Sequence, residues 1–227
     1  MDKDDFIQGL SFHVGGFFIG DTTLTTWFLM VALVLVAWLG ARRLSVDAPS
    51  RVQTAMEGTV MALQAAIEDV APGHSERLLP FIGTLWIFIA CANLTGLIPG
   101  LSSPTSDLSL SAALATLVFF SVHWFGIRVD GLRVYLKHYL YPNPILLPFH
   151  LLGEITRALA LAVRLFGNMM SLEMAALLVL LVAGFLAPVP LLTLHIIEAL
   201  VQAYIFGMLT LVYVAGSLQS RELKRKE

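Results

Sequence analysis

The chain has 227 residues, of which 57% are hydrophobic and only 13% charged, and its mean hydropathy is +0.80. A water-soluble domain carries about 25% charged residues, so half that fraction together with long apolar runs marks an integral membrane protein. The net charge of −2 is segregated rather than spread, no basic stripe interleaved with aromatics serves nucleic acid, and the single cysteine, Cys91, excludes an internal disulfide and a Cys/His metal cluster.

The first residues, Met1-Asp2-Lys3-Asp4-Asp5, are acidic where a cleavable signal peptide is basic, so none is expected. Hydropathy predicts an all-α membrane fold of about five spans in one domain, residues 1–227. The first span runs from about Thr22 to Leu39, with Trp27 and Trp38 as anchors or packing groups. Val52, Met56, Val60, Leu63, Ile67 and Val70 then recur at helical spacing with a polar opposite face. This predicts a cytoplasmic amphipathic helix that lies on the membrane surface or docks on a partner. The second span runs from about Leu78 to Ile98 and the third from about Leu108 to Ile127. Asn93 and Thr95 suit hydrogen bonds between helices, while His123, Trp124 and Arg128 suit an interfacial belt.

The fourth apolar segment extends from about Ile145 to Leu186, and the fifth from about Leu191 to Ser217, with Pro188 and Pro190 breaking the chain between them. About 40 helical residues span about 60 Å, against a hydrocarbon core about 30 Å thick. The fourth segment must therefore tilt strongly or lie partly along the membrane plane, and the hairpin 145–217 is expected to be long and oblique. Arginine and lysine settle the predicted orientation. Eleven of the 14 fall in the loops after spans one and three or in the tail, which puts the N-terminus outside and the C-terminus in the cytoplasm.

The polar residues of the hairpin carry the chemistry. Arg164 lies deep in an apolar stretch, and a cation at the bilayer centre costs ~2.5–3.5 kcal/mol on the insertion scale. It cannot shed its proton, so it must serve a negative charge. At about 100° per residue, Asn168 and Arg157 share its face, and Glu154 sits about 80° away. Glu173 is about half a turn round and roughly 13–14 Å along the axis. On the fifth span His195, Glu198 and Gln202 fall at i, i+3 and i+7, at the depth of Glu173. Glu173, His195, Glu198 and Gln202 read as the lining of a hydrated half-passage open to the outside. Any one of them alone is more often packing or polar glue; together on two adjacent helices they point to an ion path.

Leu161-Ala162-Val163-Arg164-Leu165-Phe166-Gly167-Asn168-Met169 resembles the signature of subunit a of rotary F-type ATP synthases. Asn93-Leu94-Thr95-Gly96-Leu97-Ile98-Pro99, Pro104-Thr105-Ser106-Asp107, Glu154, Leu194-His195-Ile196-Ile197 and Leu200-Val201-Gln202-Ala203-Tyr204-Ile205-Phe206 are similar to further stretches of that family. Leu172 and Ala158 depart from its pattern, as does the short link between the last two helices. The resemblance implies a non-catalytic, ion-translocating stator subunit of the bacterial plasma membrane, with no cofactor and no metal. Its implied partners are a ring of c subunits, peripheral-stalk b subunits and the bilayer. It further implies that Arg164 is the essential coupling arginine, and that Asn168, Glu173, His195 and Gln202 line the outward half-channel. Protons are the expected ion, with sodium as the alternative. Glu154 and the loop near Arg133 and Lys137 are the expected inner exit. A secondary transporter is the rival reading; its inverted repeats and paired broken helices are not found in the sequence.

Overall fold

A computed structural model gives the fold and describes residues 12–14, 17–19, 21–42, 44–45, 49–98, 103–131, 147–183 and 189–225. Lys3, Arg133, Lys137 and the link around Pro188 lie outside the described residues. Among the described residues, five helices are long and apolar enough to cross a membrane. They are α1 (Asp21–Ala41), α3 (Ser75–Leu94), α4 (Leu108–Asp130), α5 (Leu147–Ala183) and α6 (Val189–Arg225), with α2 (Arg51–Val70) as the sixth helix. A short antiparallel hairpin, β1 (Phe12–Val14) with β2 (Phe17–Ile19), precedes them, pairing Phe12 with Ile19 and Val14 with Phe17. Hydropathy alone did not anticipate it, because three-residue strands leave no periodic signal.

The predicted spans correspond to these helices, with polar extensions that hydropathy does not detect. α3 begins three residues before Leu78, with Ser75-Glu76-Arg77, and α6 continues past Ser217 to Arg225 through strong helix formers. Local chemistry sets several ends. Ser50 caps α2 by accepting from the Gln53 N–H at 3.2 Å. The Asp107 carboxylate caps α4 by accepting from the Ser109 N–H at 2.8 Å. Gly131, at φ 79°, closes the other end of α4, its N–H donating to the Ile127 carbonyl at 2.8 Å.

α5 and α6 each have 37 residues. A helix of that length measures about 55 Å, so the apolar stretch Leu151–Val182 of α5 fits a core about 30 Å thick only well off the membrane normal.

Two apolar clusters hold the bundle together. Leu85 and Ile89 of α3, Leu114 and Val118 of α4, Leu161 and Leu165 of α5 and Phe206 of α6 meet in one. Ile67 of α2, Leu78, Ile82 and Trp86 of α3 and Leu211 and Val214 of α6 form the other. The second cluster answers the question left by the amphipathic stretch. Its C-terminal half docks on α3 and α6 of the same chain, while Val52 and Val60 remain exposed. By contrast α1 is almost wholly exposed, Trp27 and Trp38 included, as a helix facing lipid or a partner must be. Trp86 is the packed tryptophan. Its ring stacks on Tyr204, its Nε1–H donates to the Tyr204 carbonyl at 3.2 Å, and a Cβ on Gly207 would collide with it.

Candidate ion-path site

The site is built on α5, whose two faces differ sharply. Leu161, Ala162, Leu165 and Met169 are buried against the bundle. Arg164 falls on the opposite side and is exposed, flanked by exposed Leu159, Val163, Gly167 and Met170. Among the described residues it has no hydrogen-bond or ion-pair partner. A permanent cation thus projects, at membrane depth, from an otherwise apolar outer surface. Lipid is a costly neighbour for such a group.

One turn on, Asn168 marks the border between the outer and inner faces. Its Nδ2 donates to Gln202 Oε1 of α6 at 2.8 Å. Gln202 is only 2% exposed, and its Nε2 finds no hydrogen-bond partner among the described residues. A buried amide N–H left open costs about 1–3 kcal/mol, which favours a bound water or a visiting acceptor at that point.

Glu173 and His195 are brought together, as their depth predicted. Glu173 Oε1 and His195 Cε1 each lie 3.3 Å, and Ser103 Cβ 3.2 Å, from the point where a Cβ on Gly96 would stand, so all three gather at that glycine and a larger side chain there would crowd them. Glu173 accepts from the Ser103 backbone N–H at 2.6 Å. His195 is buried and its Nε2 lies 3.1 Å from the Asn93 carbonyl. A carbonyl only accepts, so Nε2 carries the proton and, in the neutral ring, Nδ1 keeps the lone pair.

Asn93 ties this corner together. Its Nδ2 donates to the Ala199 carbonyl at 3.1 Å and its Oδ1 accepts from Thr105 at 2.6 Å. Thr105 Oγ1 also meets Ser103 Oγ at 2.7 Å, and Ser111 Oγ donates to the Thr105 carbonyl at 2.9 Å. The expectation that Asn93 joins helices holds, but its backbone also orients His195. Ser103, Thr105 and Ser111 were missed as site residues. They sit beside or within the loop stretch Pro104-Thr105-Ser106-Asp107, and isolated hydroxyls have no periodicity to reveal that all three are buried.

The remaining predicted residues scatter. Glu198 is half-buried and not bonded to His195 or Gln202 among the described residues. Arg157 is exposed and turned over the Tyr213 ring at 5.4 Å, rather than joining Arg164. Glu154 meets His123 of α4, with Oε2 3.1 Å from Nε2. His123, expected in an interfacial belt, also reaches across to a side chain of a neighbouring helix. Along α5, Glu154 and Glu173 stand on opposite sides of Arg164, about 15 Å and about 13–14 Å away.

The chain matches a family of known proteins. The family model described as ATP synthase A chain matches residues 23–215. The chain is 65% identical to ATP synthase subunit a 2 of Pelobacter propionicus over 94% of its own length and 93% of the relative's. It is 61% identical to ATP synthase subunit a 1 of Hahella chejuensis over 91% and 88%, and 55% identical to ATP synthase subunit a of Legionella pneumophila over 99% and 97%. With five membrane-length helices and a family match over most of its length, the chain belongs to the ATP synthase A chain family, the ion-translocating subunit a of the F-type membrane sector.

Proposed function

We propose that this chain holds two offset water-filled half-paths apart and couples ion flow through them to the movement of a neighbouring ring of carboxylate-bearing c subunits. The observation that carries this reading is the exposed Arg164, a fixed cation on an apolar membrane-depth face with no partner among the described residues. A passing carboxylate supplies the missing charge, and a nearby cation favours the ionised form of that carboxylate.

The ion enters from the side of Glu173. His195, whose Nε2–H donates to the Asn93 carbonyl, and Glu173, beside the same Gly96, pass the proton along this side. The Asn168–Gln202 pair, with the amide nitrogen of Gln202 left unpartnered among the described residues, carries the path toward the ring. A ring carboxylate that accepts a proton becomes neutral and can turn into lipid, where its charged form is expensive. After most of a revolution it releases the proton into the path on the other side of Arg164, near Glu154. The guanidinium repels a cation that attempts the direct route between the paths. A membrane potential contributes ~2.3 kcal/mol per charge per 100 mV, and protons rather than sodium fit a path built from His and Glu.

Replacing Arg164 with alanine is the direct test. In inverted membrane vesicles holding the whole complex, R164A should lose ATP-driven proton pumping and proton-driven ATP synthesis while the complex still assembles. Normal pumping by that variant would end this reading.

A further inference from the structure

His123 and Glu154 form a contact that neither hydropathy nor helical spacing singles out. The imidazole is held on two sides. Its Nδ1 lies 2.9 Å from the Phe119 carbonyl one turn back, and its ring packs on Phe119 with centroids 4.6 Å apart. Because that carbonyl only accepts, Nδ1 is the protonated nitrogen. Nε2 then lies 3.1 Å from Glu154 Oε2, within ion-pair reach though out of line for a hydrogen bond. In a neutral ring Nε2 carries a lone pair, and a carboxylate oxygen carries only lone pairs. Two acceptors at that distance repel. One added proton, on the ring or on the carboxyl, replaces that repulsion with attraction. The geometry therefore suits a pair holding one proton more than neutral histidine plus carboxylate.

The surroundings suit exchange of that proton. The two side chains are 23% and 15% exposed, largely sheltered yet not sealed. On the helices packed here, Arg128 of α4 is turned over Trp124 at 5.2 Å. Arg157 of α5 is turned over the Tyr213 ring of α6 at 5.4 Å. Both guanidinium groups are engaged on aromatic faces.

We propose that His123 is the proton-holding partner of Glu154, the two acting as a one-proton station on the path across Arg164 from Glu173. The inference rests on the ion-path reading above. A proton released by the ring reaches Nε2, giving an imidazolium paired with the Glu154 carboxylate. Loss of the same proton to water restores neutral imidazole beside the carboxylate. Nothing else is consumed or formed.

The test uses the complete ATP synthase in inverted vesicles, measuring ATP-driven proton pumping across a pH series. Glutamine at 123 keeps a neutral donor for Glu154 but cannot take up a proton. H123Q is expected to pump several-fold more slowly with an altered pH profile, E154Q to do the same, and the exchange H123E with E154H to recover much of the rate. H123N replaces H123Q if glutamine impairs assembly, judged by co-isolation of the ring. If E154Q is impaired while the His123 variants keep the parent rate and pH profile, the station is wrong and the exit at Glu154 stands. If E154Q is also unchanged, the exit reading fails and takes the station with it.

Discussion

Arg164 shows why residue identity at one position outweighs hydropathy elsewhere. Its guanidinium is planar, stays protonated and is more weakly hydrated than an ammonium. Lysine keeps the charge in water but sheds its proton readily when buried, so R164K is expected to lose most coupled transport although it still assembles. Pumping by R164K at the parent rate would show that any monopole suffices. Glu173 makes a different demand. Glutamine still accepts from the Ser103 N–H but cannot carry a proton. Glu173→Gln should slow transport several-fold and leave assembly intact; an unchanged rate reduces Glu173 to a packing group. The sequence placed Glu173 and His195 at one depth from the length of the turn between their helices. It did not show that they gather at Gly96, because Gly96 comes from a third segment far away in the chain.

At the scale of elements, packing follows from side-chain size and hydrogen bonding, since water supplies no hydrophobic drive between membrane helices. α3 and α6 approach closely because Gly207 leaves room for the Trp86 indole. Alanine there forces the ring off Tyr204 and breaks its hydrogen bond. Overpacking of this kind costs about 1–3 kcal/mol, so G207A should lower the thermal midpoint of the detergent-solubilised complex; an unaltered midpoint would mean the helices yield freely. The elbow between α2 and α3 depends on Glu68, which hydrogen-bonds Ser75 and accepts from the Gly73 N–H at 2.7 Å. The Ser75 side chain first, and the Gly73 N–H next, hold its carboxyl below the ordinary 4.5. A depressed carboxyl stabilises the fold fully above the unfolded value and loses that contribution as pH falls through the folded one. Amide exchange protection at residues 73–75, corrected for intrinsic rates, should fall in acid below about 4.5. In Glu68→Gln, whose amide oxygen still accepts from the Gly73 N–H but does not titrate, protection should no longer fall in acid, and equal acid sensitivity in the variant would clear Glu68 of the role.

For the whole molecule, the central feature is that two carboxylates, Glu154 and Glu173, flank one fixed cation along a single long helix. With Cys91 replaced by serine, single cysteines at 154 and 173 give a test of sidedness. A membrane-impermeant thiol reagent should label position 173 from the outer side and position 154 from the cytoplasmic side. Labelling of both from one side would merge the two paths into one pore and end the coupling argument. The same experiment checks the orientation expected from the arginines and lysines of the loops.

Class, span count and the polar residues of the hairpin were legible in the sequence, because each rests on short-range chemistry: apolar length against bilayer thickness, and a cation among leucines. Helical spacing also separated Arg164 from Glu173, since rotation per residue is a property of the backbone alone. What only the tertiary structure decided is which face of each helix meets which neighbour. It turned Arg164 outward, docked α2 on its own chain, brought Ser103 beneath Glu173 and set His123 against Glu154. Those outcomes depend on side-chain shapes meeting between segments remote in the chain, and no local pattern along the polypeptide records them.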